Sequence, residues 1–212
     1  APGLEVKPIK QLTGESDFNE VYFNDVRVPD AWRLGDVGQG WQVALTTLMN
    51  ERLAIGAGGP GADVALAMAI AQEVEIDGRP ALTDSAVRAQ IANYHVLEAG
   101  LKYTGYRALS ALSRGQLPGP ENAIGKLVGG PKLQSMGSFC MDLLEQHGVI
   151  WDEHHGRFDG LVQRSYMSAP GLRIAGGTDE IMTNIIAERV LGLPQDPRAD
   201  KGIPFNEIPT GR

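Results

Sequence analysis

The chain has 212 residues, 42% of them apolar, and a formal net charge of −7. That size suffices for one helical core, or for one domain and a piece of another. The acidic balance argues against a nucleic-acid surface and a polybasic membrane anchor, and no apolar run approaches the ~20 residues that span a bilayer. In chain order, the first legible element is "FNEVYFNDVRVP". Val21 and Phe23 alternate, Asn24-Asp25 signals a turn, Val26 and Val28 alternate, and Pro29 closes the run; this predicts strand, turn, strand. Two strands alone are marginal in water, so the ribbon is expected to belong to a larger sheet. Near Gly35 the texture changes and the period becomes helical. Helices are expected at roughly 39–75, 84–115, 121–147 and 178–191. Gly and Pro clusters at 77–80 and 115–120 separate them,. The stretch "WDEHHGRFDGLVQRSYMSAPGL" reads as the longest irregular part. The expected fold is mainly α, an antiparallel four-helix bundle preceded by a short β-ribbon.

Two places carry candidate chemistry. The first is Glu51. On a helical wheel at about 100° per residue, Leu48, Glu51 and Ile55 fall within roughly 40° of Ala44, and Trp41 within about 60°. An acid in an apolar stripe must be paired, kept neutral or placed for a purpose. The pattern alone leaves two readings open: a buried ion pair with an arginine, or a general base whose pKa is raised by desolvation. Gly56, Gly58, Gly59, Pro60 and Gly61 then interrupt the helix, allowing close approach or a kink. The second place is "RIAGGTDEIMTNIIAERVLG". Thr178 suits an N-cap, and Asp179 and Glu180 fill the first turn, where the helix dipole favours acids. Gly176 and Gly177 before it allow another molecule close to the backbone, and free N–H groups there suit an acceptor. The loop itself offers no base.

Three stretches in this order and spacing resemble the acyl-CoA dehydrogenases: "FNEVYFNDVRVP", "LGDVGQGWQVALTTLMNERLAIG" and "RIAGGTDEIMTNIIAERVLGLP". The resemblance implies residues 1–34 as the end of a middle β-domain, 35–195 as the C-terminal helical domain and 196–212 as a tail. It covers only part of that family's architecture, and the chain opens without a methionine, as a fragment or processed chain would. It further implies FAD, an acyl-CoA substrate, an electron-transfer flavoprotein as electron acceptor, and a homo-oligomer built as a dimer of dimers or a hetero-tetramer. The expected compartment is cytoplasmic, which the single cysteine, Cys140, fits; that cysteine also excludes an intrachain disulfide and a cysteine metal cluster,.

Many family members carry the base in the loop, where this chain has Gly176. A branch resembling isovaleryl- and long-chain acyl-CoA dehydrogenases instead carries it on the first helix before an arginine. "MNERL" matches that branch, which puts Glu51 at the base position. By the same resemblance, Arg52 and Gly177 are expected to meet substrate, and Arg88, Thr178, Asp179 and Glu180 to meet FAD. Gln146–Gly148 lie where the family often has a glycine-rich phosphate contact, largely lost here. His154 and His155 are adjacent and lack the spacing of a metal site. Beside the dehydrogenase reading stand a non-catalytic subunit of a hetero-oligomer and a flavin-free helical scaffold.

Overall fold

The computed structural model describes residues 1–55, 61–116, 119–120, 122–152, 154–200 and 202–210, and for residues 49–55 the helical backbone alone. Strand β1 (Leu4–Ile9) pairs antiparallel with β2 (Phe18–Phe23), Leu4 opposite Phe23. This corrects the expected hairpin. Asp25 does take a left-handed turn conformation, φ +52°. However, residues 26–28 form no strand, because Asn24 N–H donates back to Gly3 O at 2.8 Å and the ladder runs upstream. Pro8 disguises β1 in the sequence; it is tolerated because each strand of a two-stranded ribbon has an unpaired edge,. Arg164 ties the loop between these strands to the helices through Glu15 at 2.7 Å.

The helix expected over 39–75 is two helices, α1 (Gly40–Ile55) and α2 (Val64–Glu73). Gly56, Gly58, Gly59 and Pro60 lie outside the described residues. The restart after them is firmly held. Ala62 N–H donates to the buried Ser165 Oγ at 2.7 Å, and Asp63 caps α2 by accepting Leu66 N–H at 2.8 Å. A two-residue turn with Asp77 and Gly78 both at positive φ joins the short strands β3 (Glu75–Ile76) and β4 (Arg79–Pro80). Asp84 then caps α3 (Ser85–Ser113), accepting from Ala86 and Val87 N–H. Helix α4 covers Asn122–Leu144, and α5 covers Leu161–Ile174. The last, α6, is Asp179–Ile185, continued by a π-turn to Val190.

Helix α5 corrects the reading of 151–172 as irregular. It is the fourth member of the bundle; the short α6 is not. Its inward positions Val162, Ser165 and Ala169 recur at helical spacing, but two of the three are not strongly apolar, so hydrophobic periodicity is silent,. Small residues are required there because α4 comes close. A Cβ on Gly137 would meet Tyr166 Cα and N at 3.1 Å, and one on Gly130 would meet Arg173 Cγ at 3.2 Å. These pairs, and Tyr94 with Ser135 and Glu98 with Lys132 between α3 and α4, run in opposite chain directions, which makes the packing antiparallel. The core gathers Ala67 and Ile70 from α2, Ile91 and Tyr94 from α3, Met136, Cys140 and Leu144 from α4, and Val162 from α5. Burying each larger side chain contributes about 1.5–3 kcal/mol.

Helix α1 stands apart from this core. Trp41 and Leu48 of the predicted stripe are 76% and 40% exposed, and Ala44 is exposed as well. Nothing among the described residues covers Trp41, Ala44 and Leu48 of that face. Among the described residues, no helix is long and apolar enough to cross a membrane.

Candidate active site

The site is built where α5 ends and α6 begins. Ala175 N–H closes the last turn of α5 on Gly171 O at 2.9 Å. Gly176 (φ +66°) and Gly177 (φ +108°) then turn the chain. At Gly177 a side chain is doubly opposed, since its Cβ would also lie 2.6 Å from Cε of the buried Met182. The N–H groups of Gly176 and Gly177 have no acceptor among the described residues. Thr178 starts α6 as its N-cap, accepting Ile181 N–H at 3.3 Å. Glu180 is exposed; a hydrogen bond from the Thr178 hydroxyl, then its own backbone N–H, hold its carboxyl below the usual range.

Two cations brace this loop. Arg173 Nε donates to Asp179 Oδ2 at 2.7 Å and its Nη1 to Gln134 Oε1 at 3.0 Å. The other Asp179 oxygen, Oδ1, is buried with no partner among the described residues. Lys126 is buried on α4, and its Nζ donates to Gly177 O and, at 3.5 Å, to Arg173 O. Beside the loop runs an open cleft of about 520 Å³ between α3, α4 and α5, whose lining includes Gln90, Tyr94, Gln134, Tyr166 and Arg173.

The structure thus brings Gly177, Thr178, Asp179 and Glu180 together. Arg88 stands exposed in the first turns of α3, and no hydrogen bond or ion pair among the described residues joins it to the loop. Glu51 and Arg52 belong to α1, but their side chains lie outside the described residues. Gln146–Gly148 form a 3₁₀ turn whose carbonyls are taken by the buried Gln163: its Nε2 donates to Gly148 O at 3.0 Å and His147 O at 3.3 Å. His154 and His155 donate their backbone N–H groups to Asp152, which lowers that carboxyl's pKa; among the described residues no His, Cys, Asp and Glu cluster could hold a metal. Sequence reasoning missed Lys126, Gln134 and Arg173. For Lys126 a signal existed: a lone charge inside the small and apolar run "NAIGKLVGG".

A four-helix core closed by a glycine loop ahead of a capped helix defines a helical domain that presents backbone donors at one end. The family profile described as acyl-CoA dehydrogenase, C-terminal domain, matches residues 38–191, and the chain belongs to the acyl-CoA dehydrogenase family. Two relatives from Mycobacterium tuberculosis are similar in sequence. Acyl-CoA dehydrogenase FadE34 is 33% identical over 194 residues, 92% of this chain and 25% of that protein. Acyl-CoA dehydrogenase IpdE1 is 33% identical over 202 residues, 92% of this chain and 49% of that protein. Among solved structures, butyryl-CoA dehydrogenase from Megasphaera elsdenii shares the fold with a TM-score of 0.77 at 21% identity, covering 90% of this chain and 49% of that one. The chain therefore spans a quarter to a half of the length of these proteins.

Proposed function

We propose that this chain is the C-terminal part of an FAD-dependent acyl-CoA dehydrogenase in which Glu51 takes the α-proton of the thioester substrate. The observation that carries the reading is a complementary pair. The loop position that holds the base in much of the family is Gly176, at φ +66°, while α1 carries Glu51 next to Arg52. The N–H groups of Gly176 and Gly177, which have no acceptor among the described residues, fit a group rich in acceptors, so the residues present are compatible with acyl-CoA and flavin at this end of the bundle,.

In this reading the bound flavin supplies the hydride acceptor for the β-carbon. Glu51 removes the α-proton, and its pKa must rise towards working pH for that task. In this reading groups from outside this chain help to desolvate Glu51, since Trp41, Ala44 and Leu48 of the same stripe are exposed among the described residues,. The N–H of Gly176 or Gly177 donates to the thioester oxygen, where charge develops. Arg52 reaches the CoA moiety. Thr178, Asp179 and Glu180 border the flavin, with Arg173 offsetting the Asp179 charge. Arg88 meets FAD from a neighbouring subunit, which its exposure on α3 permits. The exposed apolar face of α1 supports assembly into a homo-oligomeric dimer of dimers or a hetero-tetramer, with an electron-transfer flavoprotein as redox partner.

The test is Glu51→Gln in the full-length protein. Flavin content and acyl-CoA binding are expected to survive while turnover falls by ~10²–10⁴. Glu51→Asp is expected to retain more activity, since it keeps a carboxylate but misplaces it. An active Glu51→Gln enzyme with a lowered melting temperature would instead identify Glu51 as an ion-pair partner.

A further inference from the structure

Burying a lysine is costly unless its donors are used, and lysines are rarely as buried as Lys126, which is 8% exposed,. Among the described residues no carboxylate pairs with it. Both of its acceptors are backbone carbonyls, and they flank the glycine loop. Arg173 O lies in the last turn of α5, where carbonyls lack intrahelical partners and a cation is favoured,. Gly177 O lies immediately before the N-cap of α6. One amine therefore gathers both ends of the Ala175–Gly176–Gly177 turn. The reach depends on α4 and α5 being close. Gly130, one helical turn beyond Lys126, provides this, since its missing side chain leaves room for Arg173. The Arg173–Asp179 pair closes the same turn from outside, but it is more exposed and hence more screened,.

Resting on the proposed function for its purpose, though not for its geometry, we infer that Lys126 is a positioning residue. It holds the Gly176–Gly177 turn in the course that aims the N–H of Gly176 or Gly177 at the thioester oxygen. Lys126 does not touch the substrate. It acts through Gly177 O, and a Gly-Gly turn without such a tether samples many conformations.

The experiment uses the full-length protein and three variants: Lys126→Met, which removes the donors at similar length, and Lys126→Gln and Lys126→Arg, which keep donors. Amide hydrogen exchange is read at Ala175, Ile181 and Met182, whose N–H groups are bonded around the turn, and at Val74 and Ala81, bonded at the far end of α2. Kinetics with butyryl-CoA as probe accompany the exchange. Lys126→Met is expected to speed exchange roughly tenfold at the first three amides, as the loss of one or two hydrogen bonds implies, and to leave the last two unchanged. Because charge develops on the thioester oxygen in the transition state, kcat should fall more than KM rises, and Lys126→Gln or Lys126→Arg should restore both readouts in part. Unchanged exchange around the turn overturns the inference. Faster exchange at all five amides also overturns it, because Lys126 is then a general folding residue. Local loosening with unaltered kcat/KM refutes the positioning role. If Glu51→Gln proves fully active while Lys126→Met loosens the turn and lowers kcat/KM, the base assignment fails and the tether stands.

Discussion

Gly177→Ala isolates the demand that the site makes on its backbone. At φ +108° an alanine lies outside the conformations that L-residues adopt readily, at a cost of about 1–3 kcal/mol,. Its Cβ would also meet Met182 Cε at 2.6 Å. Met182 is 1% exposed, so its methyl group has little room to yield, and overpacking adds about 1–3 kcal/mol,. The expected total is about 2–6 kcal/mol. At roughly 2–4 °C per kcal/mol for a chain of this size, that is a fall in Tm of about 4–24 °C. Gly100→Ala is the control. Gly100 sits within α3 with open space, nothing within 4 Å, around the position its Cβ would take, so alanine should stabilise by about 0.5–1 kcal/mol,. Thermal unfolding followed by circular dichroism compares the two. Adding Met182→Ala to Gly177→Ala would relieve the crowding but leave the strain, at the separate expense of a core cavity. A Gly177→Ala protein melting within about 1 °C of the parent would refute the reasoning, because neither strain nor crowding could then be present.

Two other substitutions and one titration follow from the packing. Gly137→Ala should destabilise by about 1–3 kcal/mol, since the new methyl group meets Tyr166 backbone rather than a side-chain end that could swing away; urea unfolding would show a lowered midpoint with unchanged slope,. Ser165→Ala should cost about 1–3 kcal/mol by leaving the buried Ala62 N–H without its acceptor, seen as faster exchange at Ala62,. Cys140 is buried and its thiol is pushed up to about 12, by desolvation first and Asp63 second, so it should resist thiol reagents at pH 8 until the protein unfolds,. Because the folded pKa is the higher one, the unfolded thiol ionises first; stability is full below about pH 8.5 and declines between there and about 12,.

The sequence pattern resolved what periodicity and caps encode. The run expected at 84–115 is α3, Ser85–Ser113, because Asp84 is a strong cap and a glycine, Gly115, follows its end. Thr178 caps α6 as its residue type suggests. The pattern failed where packing is made by small residues. Helix α5 meets Gly130 and Gly137 of α4 at Arg173 and Tyr166, and two of its buried positions are the small Ser165 and Ala169, so close contact replaces the apolar stripe and the helix reads as a loop. It failed again at β1, where Pro8 masks a strand whose partner lies well downstream. Of the candidate site, the loop and its cap were legible because glycine and threonine have local conformational meaning. The braces Lys126 and Arg173 were not, because their acceptors are a backbone carbonyl and a carboxylate brought near only by the crossing of α4, α5 and α6.

Anaerobic single-turnover reduction of the flavin tests the role of Glu51 most directly. The full-length Glu51→Gln protein, loaded with FAD and mixed with saturating acyl-CoA, should bind the thioester yet bleach its flavin absorbance ~10²–10⁴ times more slowly than the parent. Bleaching at the parent rate would contradict the assignment of the base.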